Sequence, residues 1–156
     1  MTQHLMSLGE HWFYSPRPGV ATPGFQTVTH EETFTWAAQP RLSRRDAMQF
    51  TGIGEELFSI EGRLIPHMFG GLITLNNISA SGRAGTILPL FRYYRLEETN
   101  RYGNTYLGDF GLRRLRRHEL KVGGHGLPSL LEFSMDLVRI GDDGPETVTN
   151  TQQYYT

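Results

Sequence analysis

Regular alternation of apolar and polar residues predicts a protein built mainly of antiparallel strands. The runs LFSIEGRLI, 57–65, and LEFSMDLVRI, 131–140, both place apolar residues at every second position. A period of two residues is typical of strands with one buried face and one wet face. FQTVTHEETFTWAAQ, 25–39, is rich in strand-forming residues, with Phe34 and Trp36 on one face. It is expected to be a half-buried strand.

Glycine and proline divide the remaining apolar runs into shorter strands. These strands are expected at about 3–9, from 47 to 51, and at 86–96. Gly52 and Gly54 are expected to form a tight turn before the strand at 57–65. Pro89 lies inside the 86–96 run, and proline cannot donate a ladder hydrogen bond. That strand is therefore expected to lie at a sheet edge or to begin after the proline.

One change of period, from two residues to about 3.6, predicts a single helix at about 71–82. Leu72, Leu75 and Ile78 share a face there. A length of 156 residues suits one domain. The expected fold class is α+β, mainly antiparallel β with one short helix. The domain is expected to cover 1–140, with a polar C-terminal extension over 141–156.

The segment LRRLRRHEL, 112–120, is the most charged part of the chain. Its four arginines are Arg113, Arg114, Arg116 and Arg117. A glycine-rich turn joins it to the strand at 131–140, which predicts a β-hairpin. One register places Arg114 and Arg116 across from Glu132 and Asp136, and each such pair contributes roughly 0.2–1 kcal/mol. A balanced strand face is the favoured interpretation, a surface for another chain the second, and a nucleic-acid grip the third.

Composition narrows the possible functions. The formal net charge is -1 and the pI is about 6.6, whereas nucleic-acid-binding domains are usually clearly basic. Of 15 basic residues only Lys121 is lysine, a bias that protein interfaces share and that a GC-rich genome explains equally well. The chain has no cysteine, which excludes disulfides and thiolate metal sites and fits a reducing compartment. The N-terminus shows no basic segment followed by an apolar one, so no secretory leader is expected.

No motif concentrates catalytic chemistry. The sequence lacks a phosphate-binding loop, an HExxH pair and a G-x-S-x-G elbow, and its six histidines are scattered. No catalytic residue, metal, cofactor or small-molecule substrate is therefore expected. Arg92 and Arg95 interleave with aromatics in FRYYRL, 91–96, a pattern that either stacks bases or fills an edge strand packed on a partner. The second interpretation is favoured, and Tyr154 and Tyr155 are expected to anchor the C-terminal extension on a neighbour.

The order of elements resembles that of the phage tail protein U family, over about residues 5 to 140. The segments that carry the resemblance are WAAQ at 36–39, QFTG at 49–52 with the acidic pair at 55–56, the IEG-to-Pro run at 60–66 closing on the glycines at 70–71, and the last strand at 131–140. The loop at 15–24 and the region 100–128 look longer than is usual for the family.

The resemblance implies a structural protein of the phage tail that is required for tail assembly, with a tail-tube-like β-sandwich or barrel. It implies a hexameric ring between the baseplate hub and the tail tube, acting as tube initiator. Its partners would be copies of itself, the tail tube protein and baseplate hub proteins, with the tape measure and sheath as further candidates. DNA would only pass through the lumen, and the protein would assemble in the host cytoplasm and reside in the virion. The alternatives are a terminator ring at the head-proximal end, a small nucleic-acid-binding β-barrel and, weakest, a small enzyme.

Overall fold

The computed structural model describes residues 4–14, 24–66, 71–96 and 101–141. These residues form seven strands and one helix. In chain order they are β1 (His4–Leu8), β2 (His11–Tyr14), β3 (Thr27–Gln39), β4 (Ala47–Leu64), α1 (Leu72–Arg83), β5 (Leu88–Leu96), β6 (Arg101–Val122) and β7 (Pro128–Arg139). The expected mainly antiparallel β fold with one short helix is confirmed.

All seven strands belong to one sheet with the order β2-β1-β5-β6-β7-β4-β3. Every neighbouring pair is antiparallel. The sheet therefore has two margins among the described residues, β2 on one side and β3 on the other. Within the part of the chain that the structure describes, no helix has the length and apolar character that crossing a membrane requires.

The described residues form one apolar core between one face of the sheet and α1. Its buried members come from β1, β2, β4, β5, β6, β7 and the helix: Met6, Leu8, Phe13, Phe58, Ile60, Leu64, Leu75, Ile78, Leu88, Leu90, Phe110, Leu131, Phe133, Met135 and Leu137. The apolar residues of β7 alternate with half-exposed polar ones, as the period of two predicts. Strands far apart in the sheet order contribute to this one cluster.

The helix spans Leu72–Arg83, which is within one residue of the predicted range of 71–82 at each end. Leu75 and Ile78 are fully buried on the face toward the sheet. Gly85, with a φ of 66°, follows the last helical residues, and its N–H donates to the Gly82 carbonyl oxygen. A glycine in this left-handed conformation is a common helix terminator.

A close crossing at Gly62 fixes how the chain enters β3. The Gln26 N–H donates to the Glu61 carbonyl oxygen at 2.8 Å, which brings the segment at 24–26 across β4. A Cβ on Gly62 would collide with the Gly24 carbonyl oxygen and lie 2.7 Å from Cζ of Phe133. Only a residue without a side chain fits between the incoming segment and the core.

The predicted tight turn at Gly52 and Gly54 is wrong, because both glycines lie inside the continuous strand β4. The register between β3 and β4 shifts twice here, between Glu32 and Phe34 and between Thr35 and Trp36. The extra residues of β4 are accommodated as bulges, which need unusual backbone conformations but no chain reversal. Gly52 has a φ of 153°, a conformation that glycine adopts more easily than other residues.

One further expectation is wrong. Pro89 is the second residue of β5, which lies between β1 and β6 and not at an edge. The missing N–H of Pro89 removes no backbone hydrogen bond to β1, because β1 pairs only with the residues from Leu90 to Arg92. The predicted hairpin of 112–120 with 131–140 is confirmed, since 112–120 lies within β6, which pairs with β7. The strand β2 was not predicted from the sequence.

Candidate interaction surfaces

A two-stranded ribbon extends from the body of the sheet. β7 pairs with β4 only from Leu57 to Leu64, whereas β3 continues along β4 as far as Ala47. Residues 33–53 therefore form an antiparallel hairpin that no third strand flanks among the described residues. We call this hairpin the arm.

One face of the arm is apolar and exposed. Its cross-strand pairs are Phe34 with Ile53, Trp36 with Phe50 and Ala38 with Met48. Exposed fractions are 53% for Phe34, 54% for Trp36, 58% for Met48, 48% for Phe50 and 77% for Ile53. The Trp36 and Phe50 rings meet edge to face, with centroids 5.3 Å apart. The expectation that Phe34 and Trp36 lie on a half-buried face is wrong for the isolated chain, because the arm leaves the body that would cover them.

The opposite face of the arm is polar. The Gln39 side-chain amide donates to Oε1 of Gln49 at 2.7 Å, and the Thr51 hydroxyl donates to the Thr35 carbonyl oxygen at 3.1 Å. The arm is thus two-sided, with aromatic and aliphatic side chains on one face and amides and hydroxyls on the other. A hairpin with this division is typical of a strand pair with one covered face.

The tip of the arm, residues 40–46, is basic and exposed. It carries three arginines against one aspartate, namely Arg41, Arg44, Arg45 and Asp46. Leu42 at the turn is 98% exposed. The tip therefore presents a net charge of +2 and one apolar side chain far from the core.

The arginine-rich part of β6 is only partly paired as the sequence predicts. Arg114 lies opposite Asp136, with its Nε 3.8 Å from a carboxylate oxygen, which confirms that pair. Arg116 lies opposite Ser134, so its expected acidic partner is wrong. A register shift between Leu112 and Arg114 places His118 opposite Glu132, and Glu132 instead accepts a 2.8 Å bond from Nε of Arg63 on β4.

The other two arginines of this segment point elsewhere. Arg113, at the register shift, forms an ion pair with Glu55 of β4. Arg117 donates to Oδ1 of Asn76 at 2.7 Å and to the Leu75 carbonyl oxygen at 2.9 Å, which ties α1 to the sheet. The four arginines therefore do not form one continuous basic patch.

The remaining predicted interface residues are less fully described. Arg92 is exposed on β5, opposite Thr105. Arg95 lies opposite Tyr102 in the same hairpin. Tyr154 and Tyr155, and the extension that they were expected to anchor, lie outside the described residues.

Sequence analysis missed a charged cluster where the arm joins the body. His30 Nε2 lies 2.9 Å from Oε1 of Glu56 and 3.5 Å from Oε1 of Glu32, and Arg139 donates to Oε2 of Glu56 at 2.7 Å. The His30 ring stacks on Phe58 with centroids 4.2 Å apart. Alternation places His30 and Glu32 on one face of β3, and this i, i+2 spacing was the available signal.

Electrostatics favour the ionised form of Glu56. Burial alone would raise the pKa of this carboxyl, but the hydrogen bonds and charges of Arg139 and His30 outweigh burial and lower the pKa. His30, Glu32 and Glu56 are the described residues whose ligand atoms lie close enough together to hold a metal ion. Arg139 already supplies a cation to Glu56, so we interpret the cluster as an ion-pair network that fixes the base of the arm.

A second polar pair lies on β6. The Tyr106 hydroxyl donates to Oδ1 of Asp109 at 2.7 Å. Burial, together with this bond and the negative charge of Asp109, raises the pKa of Tyr106 to about 12. Neither this pair nor the cluster at the base of the arm combines an activated nucleophile with a general base, and both are explained as structural.

Comparison with known proteins identifies the family. The model of the family described as Phage P2 GpU matches residues 19–142. No curated protein matches the chain significantly. Among solved structures, the chain is similar to one from the tail of an empty GTA particle with C6 symmetry. That match has 11% identity and a TM-score of 0.49, and covers 88% of this chain and 91% of the other.

Proposed function

Because the chain belongs to the Phage P2 GpU family of phage tail structural proteins, we propose that it forms a hexameric ring between the baseplate hub and the tail tube. In this position the ring initiates the tube. Its partners are further copies of the chain, the tail tube protein and baseplate hub proteins. DNA passes through the lumen, and no small molecule is turned over. The protein assembles in the host cytoplasm and remains in the virion.

The observation that carries this proposal is the open sheet. Its margins β2 and β3 have no outer strand among the described residues, and an exposed strand edge is a template for pairing with another chain. When one margin of each copy meets the other margin of the next copy, the contact is heterologous. Such contacts close into a ring under cyclic symmetry. Ring closure therefore removes both exposed margins at once.

The arginine segment of β6 fits the same function as a surface that sets alignment. Arg116 is exposed and forms no ion pair with another described residue, and Arg114 is paired only at 3.8 Å. Charges arranged in this way discriminate between registers, because contacts between like charges oppose the wrong alignment. Arg92, Arg95, Tyr154 and Tyr155 remain predicted contributors to the same contacts.

Electron microscopy of particles that lack the protein tests the position of the ring. Baseplate hubs without tubes support tube initiation. Tails of normal appearance that carry no heads support the alternative, a terminator ring at the head-proximal end. Infectious particles with complete tails contradict both positions.

The divergent directions of the arginines weigh against the nucleic-acid-binding alternative. Arg113 and Arg117 are bound to Glu55 and to the helix, so they are not available as a joint phosphate grip. A titration of labelled DNA against salt separates the two functions. We expect no specific binding at low salt, whereas affinity that falls steeply as salt rises would support phosphate contacts and the alternative function.

A further inference from the structure

Both neighbours of β7 continue past the point where β7 ends. β7 pairs with β4 only as far as Leu57 and with β6 only as far as Phe110. Beyond these residues, β4 continues along 47–56 and β6 along 101–109. No described strand lies between the two stretches, and each is paired only on its far side, with β3 or with β5. We call the gap between them the slot.

At the end of β7, the slot has the width of one strand. Since β4 and β6 both pair with β7, they lie two strand spacings apart there, about 9.6 Å. An ion pair between Arg113 of β6 and Glu55 of β4 joins the two strands directly. Arg139 of β7 binds Glu56 of β4, and its Nε would lie 3.2 Å from a Cβ built on Gly108 of β6. One additional strand therefore fits between the two edges at this end.

Both edges of the slot carry backbone groups that require partners. In an antiparallel sheet, alternate residues direct their N–H and C=O groups to opposite sides, so about half of those in 47–56 and 101–109 face the slot. The Ile140 N–H donates to the Asp109 carbonyl oxygen at 2.9 Å and satisfies one of them. On the same part of β6, the side-chain oxygen of Asn104 is buried and accepts no hydrogen bond from a described residue. The slot therefore favours an extended segment with polar side chains.

One segment of the chain matches the slot in length and composition. The stretch 47–56 spans roughly 33 Å and needs a partner of about ten residues. Of the stretches longer than four residues that lie outside the described ranges, 15–23 is rich in proline and tethered at both ends. The other, 142–156, contains ETVTNTQQYY at 146–155, which lacks proline and glycine. Its threonines and tyrosines favour strands, and its hydroxyls and amides can donate to Asn104.

The connection from β7 indicates that this segment enters the slot of another copy. Direct continuation of β7 would place 141–145 in the slot, where Pro145 lacks the N–H that a central strand requires. Looping all of 141–145 out of the strand would make a bulge far larger than the single extra residue that is usual. The sequence GDDGP is instead typical of a turn, which directs the following residues away from their own slot.

We propose that residues 146–155 of each copy enter the slot of the next copy and pair with β4 and β6 as an additional strand. This inference rests on the proposed ring and identifies one of the contacts that join neighbouring copies. Each copy donates one segment and receives one, so the heterologous exchange closes under cyclic symmetry. The added strand binds through backbone hydrogen bonds, as in other cases of strand addition, and it joins the arm to the rest of the sheet.

The first test disrupts the donated strand and measures self-association of the full chain by sedimentation velocity over a wide concentration range. Thr149→Pro with Thr151→Pro removes two N–H donors from the segment and is expected to weaken self-association about tenfold or more. Asp142→Pro with Asp143→Pro introduces two prolines into the turn that precedes the segment and is expected to leave association unchanged. Thermal unfolding of both variants at low concentration shows whether the body remains folded.

The second test locates the segment. The chain has no cysteine, so Val148→Cys provides a unique attachment point for a photo-crosslinker. Isotope-labelled and unlabelled chains are mixed at low concentration, concentrated and crosslinked, and the joined peptides are identified by mass spectrometry. Peptides that join position 148 of one label to 47–56 or 101–109 of the other label support the proposal. If these crosslinks carry one label only, the segment occupies its own slot and the exchange between copies is wrong.

Other outcomes overturn the inference and leave the proposed function intact. If the wild-type chain is monomeric at every concentration, or if Thr149→Pro with Thr151→Pro associates like the wild type, copies do not exchange this strand. Crosslinks from position 148 only to other parts of the chain contradict the slot as its binding site. If tails assemble fully without the chain, the proposed function itself is wrong.

Discussion

Glu56 is the residue at which local electrostatics contribute most clearly to stability. Because its native pKa lies below the ordinary value of 4.5, the folded state favours the carboxylate. The stabilisation is fully present above pH 4.5 and is lost as pH falls through the lower native pKa. Glu56→Gln is therefore expected to lower the free energy of unfolding at neutral pH by about 1 kcal/mol, a value reduced for the partial exposure of Arg139. Urea unfolding at several pH values measures the difference.

A neighbouring glutamate provides the control for this prediction. Glu55 pairs with Arg113 where both side chains are about half exposed, and exposed pairs contribute little. Glu55→Gln is expected to change stability by less than about 0.5 kcal/mol at any pH. A Glu56→Gln effect that persists unchanged in acid would show that shape, and not charge, accounts for the loss.

Tyr106 has the opposite dependence on pH. Its native pKa is raised from 10 to about 12, so its contribution is fully present below pH 10 and is lost as pH rises toward 12. Subtracting the absorbance of Tyr106→Phe from that of the wild type leaves the tyrosinate signal of Tyr106. We expect this difference signal to titrate with a midpoint near pH 12. A midpoint near 10 would show that the hydroxyl is not held by Asp109. The difference spectrum isolates this ring from the other six tyrosines.

At the scale of elements, Gly62 determines how β3 meets β4. Gly62→Ala places a methyl group against the Gly24 carbonyl and the Phe133 ring. Because both neighbours are held by backbone bonding or by the core, we expect a loss of about 2 kcal/mol or more. Gly123→Ala, where nothing lies within 4 Å, serves as the control and should unfold like the wild type. Equal stability of the two variants would mean that the incoming segment can move aside.

Elements whose pattern matches their burial could be predicted from the sequence. The strand at 131–140 and the helix have periodic apolar residues that face the core, so pattern and structure agree. The bulges at Gly52 and Gly54 could not be predicted, because glycine marks both a turn and a bulge and only the partner strand distinguishes them. The register shift in β6 could not be predicted either, because the sequence does not show which residue of β6 is left without a partner on β7.

In the arm, the alternation of apolar and polar residues correctly predicted a strand but wrongly predicted that its apolar face is half-buried. Phe34 and Trp36 alternate with polar residues as in a strand that is buried on one face. The alternation indicates a strand with one apolar and one polar face, but it does not indicate whether the rest of the chain lies over the apolar face. The charged cluster of His30, Glu56 and Arg139 was missed for a related reason, since its members come from three strands that only the folded sheet brings together.

At the scale of the whole molecule, the margin β3 links the fold to assembly. In an antiparallel edge strand, alternate backbone N–H groups point away from the sheet. In the isolated chain, the outward N–H groups of β3 have no strand partner among the described residues. We therefore expect about half of the β3 amides to exchange rapidly with deuterium in isolated protein, and the others, bonded to β4, to exchange slowly.

If copies meet at the edge strand β3, assembly into tails should slow the exchange of only those β3 amides whose N–H groups point away from the sheet. Those amides are expected to become as protected as the inward set, because pairing with a neighbouring chain satisfies them. β7, which is paired on both sides, should be protected in both states and serves as the internal standard. Outward β3 amides that exchange equally fast in tails and in isolated protein would show that the margin stays open. Ring closure at this margin would then depend on side chains alone.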